Sequence, residues 1–358
     1  MLQVKSDSRD FGPRRLSVEL TNICNLHCSY CLRDEDALYH TRANFLAPEF
    51  LDSIVKQAKD AIGITHLIFT GGEPTLHPRF NDVLGIVAAN GLMTSFVTNG
   101  WNFEKLWPIV LAKRDVITHI AFSLDGPTQE EHDKWRGEGS FERIVKAFSR
   151  CFASNVPFVV KVTIRRDNVA KLEQIALFAA RMGAAALNFV HVMPTSADVE
   201  DTSALNLDER RRAEREIASL SRIFKMKIGI DVGYYNVDPT PPCAALAGVN
   251  CNVDYRGRLS LCCNLSGYRG AVGEEDVAAD LNEKDFAAAY AALSKIASDK
   301  LAARSQRLHD LATDKVLPDL YTASPCLFCL DTSGKLPWRR STTEDAGVPR
   351  KLPVVNAF

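Results

Sequence analysis

Residues 24–31 read Cys-Asn-Leu-His-Cys-Ser-Tyr-Cys and follow directly after an apolar run at residues 16–20. The cysteines Cys24, Cys28 and Cys31 have C-x3-C-x2-C spacing, and the next cysteine along the chain is Cys151. Thiolates this close together suit three irons of a four-iron cluster, which normally takes four cysteine ligands. One iron would then keep an open coordination position, which is typical of a catalytic metal centre.

Two other interpretations of the cysteine triplet stay open on these residues alone. Positions four and seven residues apart share one face of a helix, and free cysteine is among the most buried residue types. The triplet would then be part of a hydrophobic core. Zinc is the second alternative, although structural zinc sites favour paired C-x2-C units with four ligands in total.

The composition is that of an ordinary globular protein, with 46% apolar and 24% charged residues and a net charge of −1 over 358 residues. Near-neutrality argues against nucleic-acid binding and against electrostatic docking to membranes. Residues 1–15 lack the apolar core of a signal peptide, and no apolar run approaches the roughly 18 residues of a membrane span. We therefore predict a cytoplasmic protein, in which ten clustered cysteines indicate metal or cluster binding rather than disulfides.

Short apolar runs alternate with amphipathic stretches from residue 16 to about residue 194. Strands are predicted at residues 16–21, 66–70, 94–98, 119–123, 158–164 and 187–193, and helices at residues 48–62, 79–90, 103–113, 141–153 and 169–182. Such alternation is typical of parallel β/α units with right-handed crossovers. Six units predict an α/β fold with a partial (β/α)6 barrel, where chemistry collects at the C-terminal ends of the strands.

The second half of the chain has a different pattern. A charged helix at residues 207–226 is followed by a proline-rich segment at residues 238–242, which predicts the boundary to a smaller α+β domain. Residues 251–263 predict a hairpin with its turn at Arg256-Gly257, and helical sequence follows at residues 283–314. The predicted organisation is an N-terminal extension (1–15), a barrel (16–200), a connecting helix and strand (201–237), the α+β domain (238–340) and an irregular tail (341–358).

The cysteine spacing of Cys24, Cys28 and Cys31 resembles the cluster motif of the radical SAM superfamily. The resemblance implies that these residues hold a 4Fe–4S cluster whose open iron binds S-adenosylmethionine. Reductive cleavage of that ligand then yields a 5′-deoxyadenosyl radical, which requires an external one-electron donor such as flavodoxin or ferredoxin. Tyr30, just before the third cysteine, matches the aromatic position that borders the adenine.

A Thr-Gly-Gly-Glu-Pro motif at residues 70–74 ends the second predicted strand. Paired glycines let a backbone approach a ligand closely, and a carboxylate suits an ammonium group. The motif resembles the family segment that holds the methionine amino group of the cofactor. The resemblance therefore implies cofactor binding by Gly72 and Glu73.

Three more polar positions resemble cofactor-binding positions of the family. Asn99 and Ser123 end the third and fourth predicted strands, where family members direct polar groups towards the ribose and methionyl portions. Arg136 matches an arginine that pairs with the cofactor carboxylate, for which a guanidinium supplies two-pronged recognition. Taken alone, these residues are ordinary turn or surface residues. Asp125 is expected only to cap a turn.

The cysteines of the second half resemble the auxiliary-cluster region called the twitch domain, a shortened relative of the SPASM domain. The resemblance rests on Cys243, on Cys262 within a Gly-x4-Cys unit, and on the pair Cys326 and Cys329. It implies one auxiliary 4Fe–4S cluster with four protein ligands. Zinc stays an alternative because four cysteines suit tetrahedral zinc equally well.

Two cysteines are left over in this region. Cys251 is expected to lie in the hydrophobic core. The alternative is that Cys251 takes the place of Cys243 as a cluster ligand. Cys263 is expected to point away from Cys262 because neighbouring strand residues face opposite sides.

The resemblance implies a radical SAM enzyme of oxidoreductase type that removes a substrate hydrogen atom and uses the auxiliary cluster for a net oxidation. Modification of a ribosomally made peptide, by cross-link or dehydrogenation, is the favoured function, although no peptide-recognition domain is expected before the first strand. Dehydrogenation or epimerisation of a sugar or aminocyclitol is the alternative, with Cys151, Cys251 or Cys263 as hydrogen donor. A third alternative is a non-catalytic protein that binds an iron–sulfur cluster or zinc.

Overall fold

The computed structural model describes residues 14–33, 42–240, 242–268, 274–314 and 317–339, so most of the predicted extension and the whole tail lie outside the described residues. The strands are β1 (Arg14–Glu19), β2 (Ile64–Thr70), β3 (Met93–Thr98), β4 (Ile117–Leu124), β5 (Phe158–Ile164), β6 (Ala186–His191), β7 (Lys227–Val232), β8 (Asn250–Val253), β9 (Arg258–Ser260) and β10 (Val277–Asp280). The helices are α1 (Pro48–Ile62), α2 (Phe80–Ala89), α3 (Phe103–Ala112), α4 (Gln129–Arg136), α5 (Ser140–Ala153), α6 (Leu172–Arg181), α7 (Ala197–Thr202), α8 (Leu207–Ile223), α9 (Phe286–Thr313), α10 (Leu320–Ala323) and α11 (Pro325–Thr332).

One ten-stranded sheet runs through the molecule in the order β10-β9-β8-β1-β2-β3-β4-β5-β6-β7. Strands β1 to β7 are parallel neighbours in chain order, which confirms the predicted parallel β/α core. Strand β8 pairs parallel to β1 on its other side, and β9 and β10 continue antiparallel. The hairpin beyond the predicted boundary at residues 238–242 therefore extends the same sheet.

The two faces of the sheet differ in character. Along β2, Leu67 and Phe69 are fully buried against the helices, while the alternating positions His66 and Ile68 stay partly exposed on the concave face. Each fully buried apolar side chain contributes roughly 1.5–3 kcal/mol. Lys161 of β5 also lies half-buried, paired with a carboxylate of β7 at 2.7 Å. The helices thus cover an apolar outer face, and the other face is only partly buried and carries polar side chains beside apolar ones such as Ile68.

Several element boundaries agree with the sequence pattern, whereas α4, α7, α10, α11 and β10 were not predicted. The predicted helix at residues 48–62 and the strand at residues 158–164 match α1 and β5. Helix α4 was missed because its sequence, QEEHDKWR, carries only one buried side chain and so has no apolar period. Helix α7 and strand β10 have six and four residues, too short for a clear pattern. No helix in the described ranges is long and apolar enough to cross a membrane.

The predicted hairpin is confirmed, with β8 and β9 joined through a turn that ends at Gly257. Gly257 has φ +87°, and a Cβ atom there would lie 2.4 Å from the Phe50 ring, so the turn requires glycine. Strand β9 ends at Ser260, which leaves Cys262 and Cys263 in the irregular segment that follows.

Candidate active site

Nine of the predicted site residues line one cavity at the C-terminal ends of β2, β3 and β4, which we call the cysteine pocket. They are Cys24, Cys28, Tyr30, Cys31, Gly72, Glu73, Asn99, Ser123 and Arg136. The cavity has a volume of about 130 Å³. The ends of parallel strands meet at one edge of a sheet, which brings together residues that are distant in sequence. Their individual roles stay predictions.

The cysteine loop is held by its own backbone and by Asn99. Cys31 N donates to Cys28 O at 2.9 Å, and Asn99 Nδ2 lies 3.8 Å from Cys24 Sγ. Burial raises the pKa of Cys24 to about 12 and also raises the pKa of Cys28. Free thiolates are therefore unfavourable in this pocket. Cysteine binds metal as thiolate, so a bound metal centre would stabilise the charged form that burial disfavours.

The paired glycines approach the cysteine loop itself. Gly72 N donates to Thr21 O at 2.9 Å, and the next residue, Glu73, donates its N–H to Ile23 O at 2.8 Å. A Cβ atom on Gly72 would lie 2.0 Å from Ile23 O. Only glycine fits at position 72. The close approach that the paired glycines predicted is, in this structure, the approach of their backbone to the backbone of the cysteine loop.

Glu73 joins the ends of β2 and β3. Its Oε1 accepts hydrogen bonds from Thr75 Oγ1 at 2.6 Å and from Thr98 Oγ1 at 2.8 Å, and its Oε2 accepts from Asn99 N at 2.8 Å. Burial raises the pKa of the Glu73 carboxyl despite these donors. Glu73 is thus rigidly placed in the cysteine pocket, and its predicted contact with an ammonium group stays a prediction.

Asp125 lies at the centre of a buried polar network. Its Oδ1 accepts from Arg165 Nη1 at 2.8 Å, and its Oδ2 accepts from the Tyr30 hydroxyl at 2.5 Å and from Arg136 Nε. Burial alone would raise the pKa of Asp125, but the two guanidinium groups outweigh it and hold the pKa below its ordinary value. The expectation that Asp125 only caps a turn is therefore wrong.

Arg136 and Arg165 occupy different positions in this network. Arg136 ends α4 and lines the cysteine pocket while also donating to the Tyr30 hydroxyl at 2.7 Å, so a carboxylate bound there would share it with Asp125. Arg165 was not predicted. It is fully buried just after β5, with its guanidinium 4.1 Å from the Trp135 ring centroid. A basic residue at a strand end was the only signal for it.

A second group of cysteines gathers where α11 packs near the hairpin. Cys326 and Cys329 lie one turn apart on α11, and both interact electrostatically with Cys243, while Cys262 interacts with Cys326. Burial raises the pKa of both α11 thiols to about 12. The structure thus brings the four predicted auxiliary ligands together.

Cys263 does not point away from Cys262, so that prediction is wrong. The two thiols are hydrogen-bonded to each other, and this bond, together with Arg33, lowers the pKa of Cys263 to about 7. Strand alternation does not apply because β9 ends at Ser260. Cys251 is buried in the hydrophobic core, as expected, and Cys151 is buried there as well.

The residues around each cysteine group fit a sulfur-rich anionic centre. Asn25 Nδ2, beside Cys24, and Arg304 Nε, near Cys326 and Cys329, are buried donors that find no hydrogen-bond partner among the described residues. The sulfurs of iron–sulfur clusters accept hydrogen bonds of this kind. Across the described ranges, no three His, Cys, Asp or Glu side chains come close enough together to hold a single metal ion. In a four-iron cluster each thiolate binds a different iron, so such convergence is not required.

The sequence comparison agrees with the resemblance that the cysteine motif carries. Residues 18–179 match the family model of the radical SAM superfamily. The matched segment contains all nine predicted residues of the cysteine pocket.

Curated relatives differ in their named activities. Mycofactocin maturase MftC of Mycobacterium tuberculosis (strain CDC 1551 / Oshkosh) is 28% identical over 67% of this chain, and the match spans 59% of the relative. AdoMet-dependent heme synthase of Methanosarcina barkeri is 27% identical over 56% of both chains. PqqA peptide cyclase of Gluconobacter oxydans is 25% identical over 70% of both.

Solved structures share the fold. Streptococcus suis SuiB bound to S-adenosylmethionine superposes with a TM-score of 0.66 at 16% identity, covering 80% of this chain and 68% of SuiB. The protein anSMEcpe with bound AdoMet superposes with a TM-score of 0.64 at 14% identity, covering 94% and 99%. At these identities the likeness is one of fold alone.

Proposed function

We propose that this chain binds a 4Fe–4S cluster through Cys24, Cys28 and Cys31, cleaves S-adenosylmethionine reductively, and modifies a ribosomally made peptide in a net oxidation. The observation that carries the proposal is the gathering of nine predicted residues around the cysteine pocket. When bound, the cluster and S-adenosylmethionine supply a 5′-deoxyadenosyl radical that removes a hydrogen atom from the substrate. An external one-electron donor such as flavodoxin or ferredoxin completes the system.

The chain's own residues would bind and orient these groups. The three thiols would lose their protons on binding iron. Glu73, held by hydroxyl and backbone donors, presents a fixed carboxylate edge for the amino group of S-adenosylmethionine. Arg136 offers its guanidinium to a carboxylate, and Tyr30 is fixed by its hydroxyl so that its ring borders the pocket.

The second cysteine group would hold an auxiliary 4Fe–4S cluster through Cys243, Cys262, Cys326 and Cys329. The buried guanidinium of Arg304 lies beside these cysteines and would offset the negative charge of four thiolates. A centre with four protein ligands has no open position for substrate. Its role would be to accept an electron, which is why a net oxidation is proposed.

A peptide substrate is supported by the named activities of relatives. One is a maturase and another a peptide cyclase, although a third is a heme synthase. The match to MftC spans less than two thirds of that protein, and the peptide substrate is therefore part of the proposal.

A small-molecule epimerase is the second candidate, and the position of Cys263 favours it. An epimerase needs a hydrogen donor. Of the leftover cysteines, Cys151 and Cys251 are buried in the core, whereas Cys263 is half-buried and interacts with Arg33 and Lys161, near the concave face. Only Cys263 therefore has the access that such a donor requires.

The test is anaerobic reconstitution followed by iron and sulfide analysis and an assay of 5′-deoxyadenosine with dithionite and S-adenosylmethionine. We expect about eight irons per chain, and loss of 5′-deoxyadenosine in Cys24→Ala but not in the core variant Cys151→Ser. Zinc at the second cysteine group would contradict the electron-acceptor role. A fully loaded protein without 5′-deoxyadenosine formation, with either dithionite or reduced flavodoxin, would contradict the proposal.

The source of the hydrogen atom in the product distinguishes the two candidate functions. Turnover in D2O with deuterium incorporation that is lost in Cys263→Ser would favour epimerisation. Turnover without deuterium incorporation, and insensitive to Cys263→Ser, would favour oxidation.

A further inference from the structure

Arg304 is a buried arginine on α9 that lies beside the second cysteine group, which consists of Cys243, Cys262, Cys326 and Cys329. Only 2% of Arg304 is exposed to solvent. Burial lowers the pKa of its guanidinium, because desolvation disfavours the charged form. A buried charge is costly unless a counter-charge and hydrogen-bond acceptors compensate it. The surroundings of Arg304 therefore indicate what kind of group this part of the molecule is built to hold.

Backbone carbonyls satisfy one end of the guanidinium. Arg304 Nη2 donates to Asn236 O and to Thr322 O, the latter at 3.3 Å. Asn236 N in turn donates to Ala323 O at 2.7 Å. Thr322 lies four residues before Cys326 in the chain. Arg304 thus joins the segment that leads into the cysteines of α11 to the segment that follows β7.

The Nε atom of the same guanidinium has no acceptor. Arg304 Nε is buried and finds no hydrogen-bond partner among the described residues. No salt bridge joins Arg304 to a carboxylate in the part of the chain that the structure describes. The groups that act on its charge are instead three thiols and a phenol, those of Cys329, Cys243, Cys326 and Tyr234. The missing counter-charge and the missing acceptor therefore point to the same cysteines.

A second buried arginine near Cys326 offers a comparison. The guanidinium nitrogens of Arg210 donate to three backbone carbonyls, those of Gly233 at 2.8 Å, Leu205 at 3.1 Å and Val192 at 3.3 Å. The carboxylate of Glu214 also acts on its charge. Arg210 is thus satisfied by the protein itself, whereas Arg304 keeps a donor and a positive charge for a group that the cysteines bind.

We propose that Arg304 tunes the auxiliary centre of the second cysteine group: its Nε–H donates a hydrogen bond to a sulfur of the bound cluster and raises the reduction potential of that cluster. The inference rests on the proposed function, because it requires a cluster at these cysteines. Hydrogen bonds to the sulfurs and the surrounding charge set the potential of an iron–sulfur centre. Reduction adds one negative charge, so a fixed guanidinium stabilises the reduced form more than the oxidised form. A higher potential makes the centre a better acceptor of one electron from the substrate radical.

The test is an anaerobic redox titration of the auxiliary centre alone, followed by electron paramagnetic resonance. The background is the full-length variant Cys24→Ala/Cys28→Ala/Cys31→Ala, reconstituted with iron and sulfide, which we expect to hold about four irons per chain. Arg304→Met keeps a long side chain but removes the charge and the donor. At the midpoint potential of the background, we expect the ratio of reduced to oxidised cluster to fall about tenfold in Arg304→Met, a shift of about 59 mV to lower potential.

Two further variants separate this tuning from a merely structural role. Lys295→Met removes a positive charge from the same helix at a side chain that is 76% exposed, and it should leave the midpoint unchanged. Arg304→Lys keeps a cation but has no donor at the place of Nε, so the midpoint should fall by less than in Arg304→Met. If Arg304→Met takes up no iron, Arg304→Lys decides. A structural role alone would lower the iron content but leave the midpoint of the clusters that do form unchanged.

The possible results distinguish this inference from the proposed function. An unchanged midpoint in Arg304→Met, or in Arg304→Lys where that variant decides, would overturn the inference alone. An equal shift in Lys295→Met would also overturn it, because the effect would then be one of net charge. A background that binds no iron would contradict the auxiliary cluster of the proposed function and the inference with it. A shifted midpoint, with a wild-type protein that forms no 5′-deoxyadenosine, would contradict the proposed function alone.

Discussion

Arg165 Nη1 lies 2.8 Å from Asp125 Oδ1, and both side chains are almost fully removed from solvent. The two residues are 40 positions apart in sequence and belong to the ends of β4 and β5. With Arg136 and Tyr30 they form a rigid wall beside the cysteine pocket. The pocket is thus bounded by a buried polar network centred on Asp125.

The first prediction concerns the central carboxylate. Asp125→Asn should destabilise the protein by about 3 kcal/mol or more, because it leaves the buried guanidinium of Arg136 without its counter-charge and Arg165 with Asp167 alone. Urea unfolding of the apoprotein at pH 7 measures this difference. Asp115→Asn, an exposed aspartate with 98% side-chain exposure, should change stability by no more than about 0.5 kcal/mol. Equal effects of the two substitutions would contradict the network.

The second prediction is a pH dependence that arises from His132. Its Nδ1 accepts from Asp125 N at 3.3 Å, and burial together with Arg136 lowers the pKa of His132 to about 4. In the unfolded chain this histidine has a pKa near 6.5. The unfolded state therefore takes up the proton first, and the free energy of unfolding decreases as the pH falls from about 6.5 towards 4.

Urea unfolding of the apoprotein between pH 7 and pH 4.5 tests this dependence. His132→Asn keeps an acceptor at the same place but does not titrate, so wild type should lose on the order of 2 kcal/mol more than this variant over that range. His309→Asn, at an exposed histidine of α9, is the control and should follow wild type. Parallel pH profiles for wild type and His132→Asn would exclude the effect.

The third prediction uses two glycines with opposite surroundings. A Cβ atom on Gly72 would lie 2.0 Å from Ile23 O, whereas nothing lies within 4 Å of one on Gly85 in α2. Gly72→Ala should displace the cysteine loop and reduce iron incorporation from about eight to about four per chain. Gly85→Ala should keep full iron content and gain some stability, since alanine favours a helix over glycine by roughly 0.8–1 kcal/mol. Normal iron content in Gly72→Ala would contradict the packing argument.

The fourth prediction concerns the buried ion pair between Arg33, just after the cysteine loop, and Glu19 at the end of β1. Arg33 pairs with Glu19 at 2.9 Å and also donates to the carbonyl of Ser266. Arg33→Met should destabilise by about 3 kcal/mol, and adding Glu19→Gln should recover part of the loss, with a coupling energy of roughly 1–3 kcal/mol.

A double-mutant cycle by urea unfolding measures this coupling. The exposed pair Lys56–Asp52, one helical turn apart on α1 at 2.6 Å, serves as the control cycle. Its coupling should not exceed about 0.5 kcal/mol because solvent screens exposed charges. If both cycles give the same coupling, the buried pair has no special role.

The fifth prediction identifies the ligands of the second cysteine group. Cys326→Ser and Cys243→Ser should each lower reconstituted iron from about eight to about four per chain. Cys251→Ser should leave iron unchanged because Cys251 is buried with the core residues of the sheet. Iron analysis with electron paramagnetic resonance of the reduced protein distinguishes loss of one cluster from partial loss of both. Iron loss in Cys251→Ser but not in Cys243→Ser would reverse the ligand assignment.

Much of this molecule followed from local patterns in the chain. The apolar period of α1 and the buried run of β5 gave correct bounds, because burial on one side of a helix or on both sides of a strand repeats over neighbouring residues. The nine residues of the cysteine pocket were predicted from the resemblance to the radical SAM family. Eight of them lie in the cysteine motif or at the end of a parallel strand, where such strands meet at one edge, and Arg136 ends α4.

The tertiary structure alone decided the polar connections. The pair Asp125–Arg165, the hydrogen bond of Ser17 to Asn250 across 233 residues, and the contact between Cys262 and Cys263 have no signature in residue spacing. Periodicity reports which face of an element is buried, whereas the partner of a buried charge depends on which distant segment packs against that face. Hydrophobic burial is non-directional and repeats locally, but a buried charge requires one particular partner in one geometry.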